Sequence, residues 1–74
     1  MMKQNPTIRD KKVFQRIREI RKEQGYSQEE IAELSGLAQP TISRIESGRG
    51  GVRVKTLEKI TKILGFSLKI NKKM

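Results

Sequence analysis

Apolar residues recur at helical spacing through Val13, Phe14, Ile17 and Ile20, while Arg16, Arg18, Arg21 and Lys22 fill the other faces. The spacing predicts a first helix from residue 8 or 11 to residue 24, stopped by Gly25. A start signal follows at once. Ser27 can cap exposed amides, Glu30 can complete a capping box, and Tyr26 can staple against Ile31, so a second helix is expected over residues 28–35. Gly36 stands where a left-handed residue ends a helix, and the apolar pattern restarts over residues 39–47 with Ile42 and Ile45. Pro40 falls in the first turn of that third helix, where no amide donor is missed. Gly48, Gly50 and Gly51 then predict a loop that carries Arg49 and Arg53. A helix over residues 54–64 buries Val54, Leu57, Ile60 and Leu64, and Gly65 ends it. Beyond it the period changes. Phe66, Leu68 and Ile70 alternate with Ser67, Lys69 and Asn71, as in a half-buried strand. The chain therefore divides into a polar leader with no assigned element over residues 1–7, a helical domain over residues 8–65, and a strand with a basic tail over residues 66–74.

Two short helices flanking the Gly36 turn, with Ile31, Ala32, Leu34, Leu37, Ile42 and Ile45 apolar around it, describe a helix-turn-helix unit. Ala32 lies where the two helices approach closely, and a bulky residue there would force them apart. Length and composition narrow what such a unit can do. Seventy-four residues form one domain at most, with a narrow stability margin to which oligomerisation can add. There are no cysteines and no histidines, which removes disulfides, thiolate nucleophiles, imidazole bases and zinc-finger ligand sets. No metal, cofactor or catalytic constellation is expected. Seventeen Lys and Arg against eight Asp and Glu give a formal charge of +9, which points to a polyanion such as nucleic acid, with an anionic membrane as the rival. No stretch approaches the roughly 20 apolar residues of a membrane span, and a cytoplasmic, nucleoid-associated location is expected.

From Arg16 to Gly65, including RIREIRKEQGYSQEEIAELSGLAQPTISRIESG, the sequence resembles the Cro/repressor (XRE-like) helix-turn-helix family. The resemblance implies an all-α, lambda-repressor-like bundle of four to five helices, with the second helix crossing the phosphate backbone and the third in the major groove. Gln39 becomes the leading reader, because its amide offers a donor and an acceptor together to adenine. The alternative is a solvated glutamine. Ser43, one turn on, reaches the same groove, and Arg44 reaches either a guanine edge or a phosphate. Ala38 and Pro40 depart from the commoner pattern of a hydroxyl-bearing cap. Pro40 either contacts a thymine methyl or only fixes backbone geometry. Gln28 and Thr41 resemble the family's phosphate-contacting positions, although a structural role for Thr41 stays open. Arg49 and Arg53 are phosphate contacts or merely solvated charges. Arg21 and Glu46, the most tempting catalytic pair in the chain, are placed against each other by the resemblance as a structural ion pair.

An isolated strand with Phe66, Leu68 and Ile70 exposed invites self-association, and pairing with its copy about a twofold axis would set two recognition helices side by side. The run GLAQPTISRIESG followed by LGFSLKI is similar to the HipB-type antitoxins, small dimeric repressors that also bind a kinase toxin. The resulting expectation is a homodimeric regulator of double-stranded DNA at a palindromic operator, with a HipA-like toxin as a further partner. Its alternative is a protein-interaction module whose main task is to neutralise that toxin.

Overall fold

The computed structural model describes residues 7–65. They form β1 (Thr7–Ile8), α1 (Lys11–Glu23), α2 (Gln28–Ser35), α3 (Gln39–Glu46), β2 (Val52–Arg53) and α4 (Val54–Leu64). Local chemistry accounts for the helix limits. Asp10 caps α1 by accepting the Lys12 amide at 2.9 Å, which decides between the two starts that periodicity allows. At α2 the capping box is complete, with Ser27 Oγ accepting the Glu30 amide at 3.0 Å and Glu30 Oε1 accepting the Ser27 amide at 2.7 Å. Gly36 then turns the chain with φ 78, and the amides of Gly36 and Leu37 both donate to the Ala32 carbonyl. A side chain at that φ would strain the turn between α2 and α3. α3 starts with less support, since Ala38 makes no side-chain capping bond, a deficit of about 1 kcal/mol against a hydroxyl cap.

One core joins all four helices. Phe14 and Ile17 come from α1, Ile31 and Ala32 from α2, Ile42 and Ile45 from α3, and Leu57, Ile60 and Leu64 from α4, with Val13, Ile20, Tyr26 and Leu37 half-buried around them. At the far end of the bundle, Gln24 Nε2 donates to the Leu64 carbonyl at 2.7 Å, so the last turn of α4 is tied to the end of α1. The short helices α2 and α3 are thus held as a pair by α1 on one side and α4 on the other.

Three features differ from the sequence expectation. Leu34, counted among the apolar residues of the helix-turn-helix, is 59% exposed. At about 100° per residue, the direction midway between Ile31, Ala32 and Ser35 points into the core, and Leu34 lies roughly a quarter-turn away from it. Thr61 is buried on α4, where its hydroxyl donates to the Glu58 carbonyl and so leaves no unmet polar group. The third difference is a small antiparallel ladder, with Thr7 opposite Arg53 and Ile8 opposite Val52. Thr7 therefore belongs to the domain rather than to a leader, and Arg53 leaves the loop for a strand and the start of α4. Val52 is buried, Ile8 packs on the core, and Gly51 makes room: a Cβ there would stand 2.6 Å from Thr7 Cγ2. The expected strand bearing Phe66, Leu68 and Ile70 lies outside the described residues.

Candidate nucleic-acid interface

α3 has two sides with opposite roles. Ile42 and Ile45 are completely buried, whereas Gln39, Pro40, Ser43 and Arg44 are exposed, and Gln39 and Ser43 fall one turn apart on the same face. Thr41 is half-buried on the flank. A helix of eight residues could not hold this display by itself, so its rigidity comes from the core beneath it.

The strongest polar tie to that helix begins on α1. Arg21 Nε donates to Glu46 Oε2 at 2.7 Å and Arg21 Nη2 to Glu46 Oε1 at 2.9 Å, a bidentate pair whose side chains are 9% and 3% exposed. Arg21 Nη1 also donates to the Tyr26 carbonyl at 2.7 Å, which brings the start of α2 into the same arrangement. The pair joins α1, the entry to α2 and the last turn of α3. Gln28 extends the network outward. Its Nε2 donates to Glu46 Oε1 at 3.1 Å, and its Oε1 accepts from Gln39 Nε2 at 2.9 Å. Of the residues singled out in the sequence, Arg21, Glu46, Gln28 and Gln39 are therefore one bonded chain, from the buried α1 to the exposed face of α3.

Arg49 and Arg53 are exposed on either side of Gly51 and belong to a different cluster. The structure adds two cations to it that sequence reasoning missed. A Cβ on Gly51 would lie 3.2 Å from Arg9 Cγ and 3.4 Å from its Cζ, and one on Gly48 would lie 3.6 Å from Lys11 Cγ. Two glycines thus seat the stems of Arg9 and Lys11 against the loop that follows α3. Nothing local in the sequence signals this, because it depends on the ladder that brings residue 7 to residue 53. A solvent-open groove of about 250 Å³ beside it is lined by Lys11, Phe14, Gln15, Arg18, Glu46, Ser47 and Gly48. Among the described residues no group of Asp and Glu is suited to hold a metal ion, and no helix is long and apolar enough to cross a membrane.

A helix-turn-helix family model matches residues 17–70, most of the chain, including both helices of the motif and α4. The chain belongs to this helix-turn-helix family, of the Cro/repressor (XRE) type. It is 47% identical over 53 residues to the HTH-type transcriptional regulator PuuR of Escherichia coli, covering 72% of the chain and 29% of PuuR. With the HTH-type transcriptional regulator SinR of Bacillus subtilis it shares 40% over 57 residues, covering 76% of the chain and 51% of SinR. The chain thus spans about half or less of these curated relatives. Among solved structures, SinR in complex with DNA superposes with a TM-score of 0.69 at 39% identity, over 74% of this chain and 89% of that one. The restriction-modification controller protein C.AhdI of Aeromonas hydrophila superposes with a TM-score of 0.71 at 36% identity, over 76% of this chain and 85% of that one. These are transcriptional regulators and controllers with the same bundle.

Proposed function

We infer that this helix-turn-helix protein is a sequence-specific, double-stranded DNA-binding transcriptional regulator, acting as a homodimer on a palindromic operator. The observation that carries the reading is the exposed row Gln39, Pro40, Ser43 and Arg44 on a helix whose other side is locked into the core. A narrow polar row on a rigid helix fits the major groove, where base edges present distinct patterns of donors and acceptors. Gln39 spends one Nε2 hydrogen on Gln28 and keeps its Oε1 and second N–H, a donor with an acceptor that matches adenine N7 and N6. Ser43 and Arg44 follow along the same groove, and Pro40 offers an apolar surface to a thymine methyl. Gln28 retains one Nε2 hydrogen for a phosphate beside the start of α2, and Thr41 occupies the corresponding place on α3. Arg49, from the loop, and Arg53, at the start of α4, neutralise backbone charge. The +9 formal charge and the DNA complex of SinR support the same class of ligand.

Selection of bound duplexes from a random pool tests the reading, and a palindromic consensus is the expected result. A pool that yields no consensus overturns it. On the selected site, Gln39→Ala is expected to relax discrimination at one position of each half-site by about 1–3 kcal/mol, with a much smaller loss on random duplex. Equal losses on both would remove Gln39 from base reading. Arg49→Ala or Arg53→Ala should instead weaken all sequences alike and lower the salt dependence by about one phosphate contact each. An unchanged salt slope would return them to solvated charges.

A second reading, the antitoxin that holds a HipA-like kinase toxin, is favoured by one observation: the GLAQPTISRIESG run combined with the LGFSLKI tail. SinR is itself known in a complex with the protein SinI, so a regulator that carries this bundle can also have a protein partner. Inhibition of a purified HipA-like kinase by the chain would support it, and full kinase activity in the presence of excess chain would exclude it.

A further inference from the structure

We propose that the Arg21–Glu46 ion pair, acting through Gln28, sets which end of the Gln39 amide faces the DNA, and so is a determinant of base preference as well as of stability. The inference rests on the base-reading role of Gln39 given above. It follows from what each group in the chain of bonds is able to do.

A guanidinium has five N–H donors and no acceptor, and a carboxylate has only acceptors. Arg21 occupies both carboxylate oxygens of Glu46 at 2.7 and 2.9 Å, which holds that group in place on the inner side of α3. The Gln28 amide has one donor end and one acceptor end, and only the donor end is compatible with a carboxylate. Its Nε2 therefore turns to Glu46 Oε1, at 3.1 Å, and its Oε1 is forced to the opposite side. There it can be met only by a donor, and Gln39 supplies Nε2 at 2.9 Å. Each step fixes the next. Had the chain of bonds begun with a neutral amide in place of Glu46, both glutamines could reverse together at little cost, and Gln39 would show its oxygen where it now shows nitrogen.

Reversal matters because the donor and acceptor of adenine occupy fixed places in the groove. An amide that presents its oxygen toward N7 sets two acceptors against each other, so the reversed form loses the match that the present form makes. The first bonds in the chain are well shielded, with Glu46 at 3% side-chain exposure, Gln28 half-buried and Gln39 exposed. Electrostatic preference for one polarity is therefore strongest at its source, in the low-dielectric interior, and is passed outward as an orientation rather than as a charge. Gln28 and Glu46 are positioning residues in this scheme. Neither needs to touch the base.

The test uses the full chain, a duplex selected as above, and the set of its single-base variants, with relative affinities measured for Gln39→Ala, Gln28→Met and Glu46→Gln. Gln39→Ala locates the position that Gln39 reads. The expected result is that Gln28→Met and Glu46→Gln each lose about tenfold in preference at that position, while preferences at the other positions change less than about twofold. A loss spread evenly over all positions, or none at the Gln39 position, would overturn the proposal and leave Gln28 as a backbone contact and Glu46 as a purely structural group. If Gln39→Ala itself shifts no position, the base-reading role fails and the relay fails with it. Gln28→Met tests the outer link alone, so if Glu46→Gln does not fold, the double replacement Arg21→Met with Glu46→Leu tests the ion pair, and unchanged preference at the Gln39 position in that variant would overturn the proposal. NMR of the side-chain amides gives an independent reading in the free protein: the Gln39 Nε2 protons should move toward solvated values in both variants.

Discussion

Glu46→Ala is expected to lower the unfolding free energy by about 3 kcal/mol, because it leaves the guanidinium of Arg21 buried without its counter-charge. Arg21 keeps only the bond to the Tyr26 carbonyl, and its 9% side-chain exposure gives water little access to replace the lost carboxylate. In a domain of this size such a loss corresponds to a fall of more than about 10 °C in Tm. Arg21→Ala should be comparably damaging, since it strands a carboxylate that is even less exposed. The two losses should not add. A double-mutant cycle by urea unfolding should return a coupling energy of at least about 1 kcal/mol, the mark of direct contact. Combining Arg21→Met with Glu46→Leu should recover much of the stability, because the cost lies in the unpaired charge more than in the absent attraction. Additive single losses, or a double replacement no better than the singles, would contradict this account.

The stability and specificity roles of the pair part company in that last variant. With Arg21→Met and Glu46→Leu packed against each other, an apolar contact would hold α1, α2 and α3 together, yet Gln28 would no longer have an acceptor-only group beneath it. Such a protein should be well folded and less selective at the Gln39 position. That outcome would show that, in the proposed relay, specificity is carried by a polar chain that an apolar core of equal stability cannot replace.

How far the sequence revealed this arrangement depends on how local each signal is. The helices α2 and α3 were legible because every cue lies within a few residues: Ser27 and Glu30 for the cap, Gly36 for the left-handed turn, Ile42 and Ile45 for the buried side. The ladder of Thr7–Ile8 with Val52–Arg53 was not, since two-residue strands contain no alternation to detect and the paired segments are far apart along the chain. The seating of Arg9 and Lys11 on Gly51 and Gly48 depends on that ladder and was hidden with it. Leu34 looked like core because hydropathy alone does not give the azimuth of a residue on a two-turn helix. At the site, Gln28 and Gln39 were each singled out by the resemblance to the Cro/repressor family. The bond from Gln39 to Gln28 and the bond from Gln28 to Glu46 needed the crossing of α2 and α3, which fixes distances that no spacing along the chain encodes.

Removing residues 66–74 is expected to convert the proposed dimer into a weakly associating monomer that remains folded. The alternation of Phe66, Leu68 and Ile70 with polar residues describes a strand with an apolar face, and an unpaired strand is marginal unless another edge meets it. A second copy meets that need symmetrically. The fold should survive, because the described core already joins α1 to α4 between Phe14 and Leu64, and α4 is closed by Gly65 and by the bond from Gln24 to the Leu64 carbonyl. Circular dichroism of the shortened chain should therefore stay helical, with a lower Tm from the lost intersubunit burial. DNA binding should suffer far more. Two half-sites about one helical turn, or roughly 34 Å, apart are gripped together by a dimer, and a monomer loses the effective concentration that links them, worth about 10²- to 10⁴-fold in affinity. Sedimentation of both chains alongside titration of a palindromic duplex measures both effects. A shortened chain that sediments as a stable dimer with unchanged affinity would place the interface on the helical bundle and free the tail for another partner.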